Sequence, residues 1–352
     1  MLTRRYTKGR GTLKAVFVED AYEVIVKEVE LPHIADKDVL IKVKVAGICG
    51  SDIHTYKGLH LFRKPPVIIG HELAGEVVKV GDGVSKFQVG DRVTVEPQVG
   101  CGNCEACLTG NVNYCAHRGA PGLNGWYGTM AEYFATPEHT VFKLPDTMTY
   151  DQGVLVEPFA VGVHAVRKAD IQLGDKVAIL GAGPIGLLAL AAAKAAGATT
   201  VLVTDIMDYA LEGAVKMGAT HTLNTLNKQD WIVEAKDTVG GDFDKVLIAA
   251  GVPGIIDQAI SLLRKGGRCV TIAMFHGTQT FDIVNLQQGE KEIVGCMTYT
   301  REDTIAAIEL INAGHVAEDV IITHKLSYEE AARGFRLVDK KEESSLKVLV
   351  EF

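Results

Sequence analysis

Four cysteines, Cys101, Cys104, Cys107 and Cys115, fall within fifteen residues and are set among Gly100, Gly102 and Gly110. Four thiolates this close can enclose one ion. Closed tetrahedral coordination by cysteine is the structural zinc arrangement, because it leaves no position for a substrate. An iron–sulfur cluster also uses four cysteines, but nothing else in the chain suggests electron relay. Four free thiols in one loop is the weaker account, since exposed cysteine is costly to keep.

A second set of metal-type residues is dispersed. Cys49 lies in Gly47-Ile48-Cys49-Gly50-Ser51-Asp52-Ile53-His54, His71 and Glu72 follow in Ile69-Gly70-His71-Glu72, and Glu157 stands in Val156-Glu157-Pro158. A thiolate, an imidazole and carboxylates with one exchangeable position would make an open zinc site. Taken singly, each also reads as a core thiol, a satisfied polar residue or a solvated charge. Spacing alone does not join them.

Gly181-Ala182-Gly183-Pro184-Ile185-Gly186 follows an expected strand and opens an expected helix. The first glycine allows a tight turn, the second lets backbone approach a pyrophosphate, and the third lets helix and strand pack closely. The next strand ends at Asp205, 19 residues after Gly186, where a carboxylate can bind the adenosine ribose. A 2′-phosphate would meet Asp205 with Asp208 beside it and no neighbouring arginine, which favours NAD over NADP. A glycine-rich turn in some other doubly wound protein is the plainer alternative.

The elements that must carry these residues change character along the chain. Runs at 14–18, 24–29, 39–45, 76–80, 92–96 and 131–136 are β-branched, partly alternating and bounded by turns. They predict an antiparallel β-barrel domain. After about Gln152, short apolar runs at 177–180, 201–204, 246–249 and 268–272 alternate with helical stretches at 185–196, 209–217, 228–238 and 255–263. That alternation predicts a doubly wound parallel sheet. Helices near 304–313 and 328–337 and a strand at 346–350 complete the α/β reading.

Bulk properties agree with a two-domain soluble enzyme. The chain has 352 residues, 47% hydrophobic and 23% charged, with a net charge of −8. The acidic balance leaves no footprint for nucleic acid. The longest apolar stretch, 177–193, is broken by Gly181, Gly183, Pro184 and Gly186 and predicts no membrane span. Clustered cysteines without a secretion signal point to metal ligation in a reducing cytosol, so a cytoplasmic location is expected. The basic start, Arg4, Arg5, Lys8 and Arg10, is not followed by an apolar signal core and reads as a frayed terminus. His33, His117, His139, His221 and His315 receive no role, and Cys269 and Cys296 are expected to be buried in strands.

These motifs together resemble the zinc-containing medium-chain dehydrogenases over essentially the whole chain, and within them the polyol (sorbitol or xylitol) and 2,3-butanediol branch. The resemblance implies a GroES-like domain from 1–158 and 297–352, with a structural zinc lobe at about 100–116. A Rossmann NAD-binding domain from 159–296 is inserted between the two parts. It implies catalytic zinc on Cys49 and His71, with Glu72 and Glu157 sharing the remaining role, directly or through water. Cys101, Cys104, Cys107 and Cys115 would hold a second zinc, giving two per chain. Ser51 and His54 match the family's proton relay, and Asp52 the carboxylate that orients the zinc-bound histidine. Gly181, Gly183, Pro184, Ile185, Gly186 and Asp205 match the NAD site.

The implied reaction is oxidation of a secondary alcohol (a polyol, cyclitol or vicinal diol) to a ketone in a homodimer or homotetramer. Threonine dehydrogenases tend to carry Asp-Pro where Glu157-Pro158 stands, and Tyr299-Thr300-Arg301-Glu302-Asp303 is closer to the butanediol type. Many sorbitol dehydrogenases, in turn, lack the complete cysteine lobe. Polyol relatives often place a basic residue shortly after the ribose-binding acid, where this chain has Asp208 and Tyr209. An L-threonine-type dehydrogenase and a non-catalytic NAD-binding relative are the alternatives.

Overall fold

The computed structural model describes residues 11–352. Arg4, Arg5, Lys8 and Arg10, the basic start, lie outside the described residues. The chain forms two compact units, one running up to Glu157 and resuming at Ile322–Phe352, the other Pro158–Ile321.

The first unit is built on Asp38–Gly47, a strand whose Val39, Ile41, Val43 and Val45 are buried. β-branched side chains suit this position because they pack well on a pleated surface between neighbours. It pairs antiparallel with Glu72–Val80, Tyr133–Pro137 and the C-terminal strand Lys347–Glu351. Arg92–Val95 and Val141–Lys143 extend the sheet on one side and Ile322–Ser327 on the other. A smaller sheet joins Glu23–Glu30, Thr12–Asp20 and Val67–Ile68. Val16, Ile41, Phe134, Met130 and Phe335 close the core between these elements. Each such side chain contributes roughly 1.5–3 kcal/mol of burial.

The second unit is a six-stranded sheet, parallel throughout, ordered His221–Asn224, Thr200–Asp205, Lys176–Leu180, Phe243–Ile248, Leu263–Thr271, Glu292–Gly295. The chain starts in the middle at Lys176–Leu180, winds outward to one side, then crosses back to fill the other. The strand order therefore reverses beside Lys176–Leu180, the place where such sheets bind ligands. Val177, Ala178, Ile179 and Leu180 are fully buried, as a strand covered on both faces requires.

Three features depart from the sequence expectation. Glu157, the last residue of the first unit before the chain enters the second, lies within a 20-residue helix, Tyr150–Ala169, that continues through Pro158 and that the sequence pattern does not predict. Gly153, Pro158 and Gly162 are helix breakers by propensity, and tight packing overrides them. A Cβ at Gly153 would lie 2.6 Å from the Leu144 side chain, and one at Gly162 would lie 3.0 Å from the Ala189 backbone. Next, the helix Arg301–Asn312 packs with the second unit, where His164 and Arg167 reach Asp303, and the chain rejoins the first unit at Ile322, not at 297. Finally, Cys269 is buried in a strand as expected, but half-buried Cys296 sits one residue past Glu292–Gly295. Among the described residues, no helix is long and apolar enough to cross a membrane.

Candidate active site and metal centres

Strand pairing brings the dispersed residues together. Gly47 at the end of Asp38–Gly47 lies opposite Glu72. Two residues beyond Gly47, Cys49 caps the helix Gly50–Tyr56. Gly70 turns the chain with φ +98°, in a space where a Cβ would stand 2.7 Å from Met130, and delivers His71 and Glu72 to the same place. Ligand atoms of Cys49, His71 and Glu72 all lie within 4.8 Å of one another. Zinc bonds sulfur at about 2.3 Å and nitrogen or oxygen at about 2.0–2.2 Å. A single ion fits among them.

Asp52 organises this group from underneath. It is fully buried; its Oδ2 accepts the Cys49 N–H at 3.1 Å, and its Oδ1 lies 2.8 Å from Arg63 Nη1 and 3.2 Å from His71 Nδ1. Burial alone would raise the Asp52 pKa, but His71, Arg63 and the Cys49 N–H together hold it below the ordinary value. With Nδ1 turned to Asp52, the other ring nitrogen of His71 is left for a metal.

Glu72 is fully buried and both its oxygens face Lys347 Nζ, at 2.7 and 2.8 Å. Burial alone would lower the Lys347 pKa, but Glu72, Cys49 and Glu157 outweigh it and raise the ammonium above its ordinary value. Glu157 is buried nearby yet stands outside the group formed by Cys49, His71 and Glu72. Ser51 and His54 are half-buried and lie three residues apart on the helix Gly50–Tyr56, a spacing that puts them on one face.

The four lobe cysteines also converge, with their sulfurs mutually within 4.8 Å. Cys101 and Cys107 Sγ are 3.9 Å apart, close to the about 3.8 Å that two tetrahedral bonds of zinc–thiolate length impose. Gly100 is required here, since its Cβ would fall 2.4 Å from Cys107 Sγ. The Asn103 and Cys104 N–H groups pull the Cys101 thiol down to about 6, whereas burial pushes Cys107 up to about 11.

In the second unit, Gly181 has φ +109° and its N–H bonds the Thr204 carbonyl at 2.8 Å. A Cβ at Gly186 would collide with the Gly181 carbonyl at 1.9 Å, so only glycine lets the helix Pro184–Ala195 start this close to the strand. Gly183 is different: nothing lies within 4 Å of its missing Cβ, which leaves open space at the helix N-terminus. Asp205 closes the turn from the next strand. Its Oδ2 accepts the Ala182 N–H at 2.7 Å, and its Oδ1 accepts the Ile206 and Met207 N–H groups at 2.7 and 3.0 Å. An anionic pyrophosphate at this helix N-terminus fits both the free N–H groups and the room beside Gly183.

Residues 35–146 match the alcohol dehydrogenase GroES-like domain family, and residues 184–313 match the zinc-binding dehydrogenase family. The sorbitol dehydrogenase of Bacillus subtilis is 36% identical over 96% of this chain and 97% of its own. The chain belongs to the zinc-binding alcohol dehydrogenases. It is an oxidoreductase by family. Two solved structures are similar over nearly their full length. A short chain alcohol dehydrogenase of Escherichia coli CFT073 complexed with NADH has a TM-score of 0.90 at 29% identity, covering 97% of this chain and 99% of that one. A zinc-binding dehydrogenase of Sinorhizobium meliloti 1021 bound to NADP has a TM-score of 0.90 at 31% identity, covering 97% of this chain and 100% of that one.

In this zinc-binding dehydrogenase, sequence reasoning missed Lys347, Arg63 and Gly47, which hold the metal-type residues in place. A signal for Lys347 was present: a lysine opening the apolar run Val348-Leu349-Val350. Arg63 carried none, because it sits beside Lys64 in a loop with exposed Leu61 and Phe62, where an arginine reads as a solvated charge. His164, paired with Asp303 at 2.8 Å, was likewise unannounced.

Proposed function

We propose that this dehydrogenase oxidises a secondary alcohol of a polyol or vicinal diol to the ketone, with NAD as the acceptor and two zinc ions per chain. The observation that carries the reading is the convergence of Cys49, His71 and Glu72 over Asp52. When bound, zinc supplies the Lewis acidity that eases loss of the hydroxyl proton, and NAD supplies the hydride acceptor.

The chain's own residues then have defined work. Cys49 and His71 hold the metal, with Glu72 and Glu157 as the carboxylates available to it. Asp52 fixes the His71 ring and keeps its Nδ1 engaged. Ser51 takes the hydroxyl proton and His54, on the same helix face, passes it to solvent. Cys101, Cys104, Cys107 and Cys115 hold the second zinc, which stiffens the lobe. Gly181, Gly183, Pro184, Ile185 and Gly186 cradle the cofactor phosphates. The Asp205 carboxylate, with Asp208 at the start of the next helix, repels a 2′-phosphate and favours NAD.

The similarity to a sorbitol dehydrogenase supports a polyol, and the family's habit supports a homodimer or homotetramer. The test is NAD and NADP reduction by protein purified without chelator, against sorbitol, xylitol, galactitol, 2,3-butanediol and L-threonine. The expected result is turnover of a polyol or diol with NAD at least tenfold above NADP. Turnover of L-threonine alone, or preference for NADP, would overturn the substrate or the cofactor assignment respectively.

A further inference from the structure

Lys347 belongs to the metal-site group, and the mechanism above gives it no role. The residue is 2% exposed; its ammonium carries three donors, and three acceptors surround it. Two are the oxygens of Glu72, at 2.7 and 2.8 Å, and the third is the carbonyl of Ile48 at 3.3 Å, one residue before Cys49. The lysine thus ties the C-terminal strand Lys347–Glu351 to both Glu72 and the backbone that presents Cys49. Stability alone is a weak reason for such a pair, since apolar residues of similar volume often serve a core equally well or better.

The pair also competes with the metal. Glu72 is within ligand range of the same point as Cys49 and His71, yet both of its oxygens are committed to the ammonium. Full coordination by Glu72 would loosen at least one of those bonds and leave a buried cation partly unpaired. We propose that Lys347 is a positioning residue that restrains Glu72, so that this carboxylate remains a displaceable ligand and the fourth coordination position stays open. This inference rests on the zinc reading of Cys49 and His71.

The test replaces the metal with cobalt(II) and follows its visible spectrum and its release to a chelator, neither of which requires turnover. In Lys347→Met, Glu72 should close the site: release from it should slow by about 10-fold or more, and the spectrum should stop responding to added azide. Lys347→Arg should behave like the unmodified protein. Unchanged or faster release in Lys347→Met, with the azide response retained, would overturn the proposal. Lys347→Met combined with Glu72→Gln is a second arm, which removes the restraint and the carboxylate together. Its release rate and azide response should return to within about 3-fold of the unmodified protein; release as slow as in Lys347→Met alone would show that Glu72 is not what closes the site and would overturn the proposal. A Cys49→Ser protein that still binds two cobalt ions per chain would instead overturn the zinc reading underneath.

Discussion

Gly47 lies directly across the sheet from Glu72, and a methyl group added to Gly47 would fall 1.8 Å from the Glu72 carboxylate oxygen. The absence of a side chain at one position therefore makes room for a buried charge at the other. Gly47→Ala should push Glu72 off Lys347 or force the two strands apart. Overpacking a core typically costs about 1–3 kcal/mol, and disturbing a buried ion pair adds to it. A loss of about 3 kcal/mol in urea unfolding is expected. An unchanged midpoint would mean that Glu72 can rotate away freely, which the close pairing with Lys347 contradicts.

Asp52 is the next point of leverage, because one carboxylate serves Cys49, Arg63 and His71 at once. Asp52→Ala should weaken zinc at Cys49 and His71 by about 10- to 100-fold, the usual cost of losing a partner behind a metal ligand. The lobe zinc, held by its own four cysteines, should keep its affinity. Competition with a chromophoric chelator separates the two ions. Equal weakening of both would assign Asp52 to general stability.

Legibility in the sequence followed the range of the interactions involved. The lobe cysteines and the glycine turn each lie within one short stretch, so local chemistry reveals them. Cys49, His71 and Glu72 lie on either side of one strand pairing, and only Gly47 opposite Glu72 brings them together. No spacing rule encodes that pairing, and the family resemblance had to join them. The helix Tyr150–Ala169 was hidden because Gly153, Pro158 and Gly162 argue locally against it, and packing against Leu144 and Ala189 decides otherwise. Edge elements such as His221–Asn224 and Glu292–Gly295, four residues each, are too short to show a two-residue period. Lys347 is the deepest omission: its partner Glu72 stands 275 positions away in the chain.

Asp303 provides an acid-dependent test of the second unit. It is fully buried, accepts the Thr300 N–H and Oγ–H at 2.8 and 2.7 Å, and pairs with His164 and Arg167. Burial alone would raise its pKa, but the bonds from His164 and Thr300 outweigh burial and hold it below the ordinary 3.8. A carboxylate with a depressed folded pKa stabilises the fold above its unfolded value, and that contribution is lost as pH falls through the folded value. Asp303→Asn should therefore cost about 3 kcal/mol at pH 7. The difference between the two proteins should shrink as pH falls below about 4. A gap that stays constant between pH 7 and pH 3 would show that the charge of Asp303 is not what stabilises the cap.

His60 likewise loses its contribution in acid, and it acts on the loop that carries Arg63. Its Nδ1 accepts the Phe62 and Arg63 N–H groups at 3.2 and 3.0 Å, which only a neutral imidazole can do. Burial, reinforced by the Arg63 charge, lowers its pKa from 6.5 to about 4. Between those two values the unfolded loop binds more protons than the folded one, so stability of the loop declines as pH falls across that window. Proton NMR should place the His60 midpoint near 4, well below the histidines on open surface. Hydrogen exchange at the Phe62 and Arg63 amides, corrected for its intrinsic pH dependence, should accelerate from pH 6.5 toward pH 4. Since Arg63 also donates to Asp52, the loosened loop should weaken the hold on His71 in the same window. A His60 midpoint near 6.5 would show instead that the imidazole is solvated and the two amides find other acceptors.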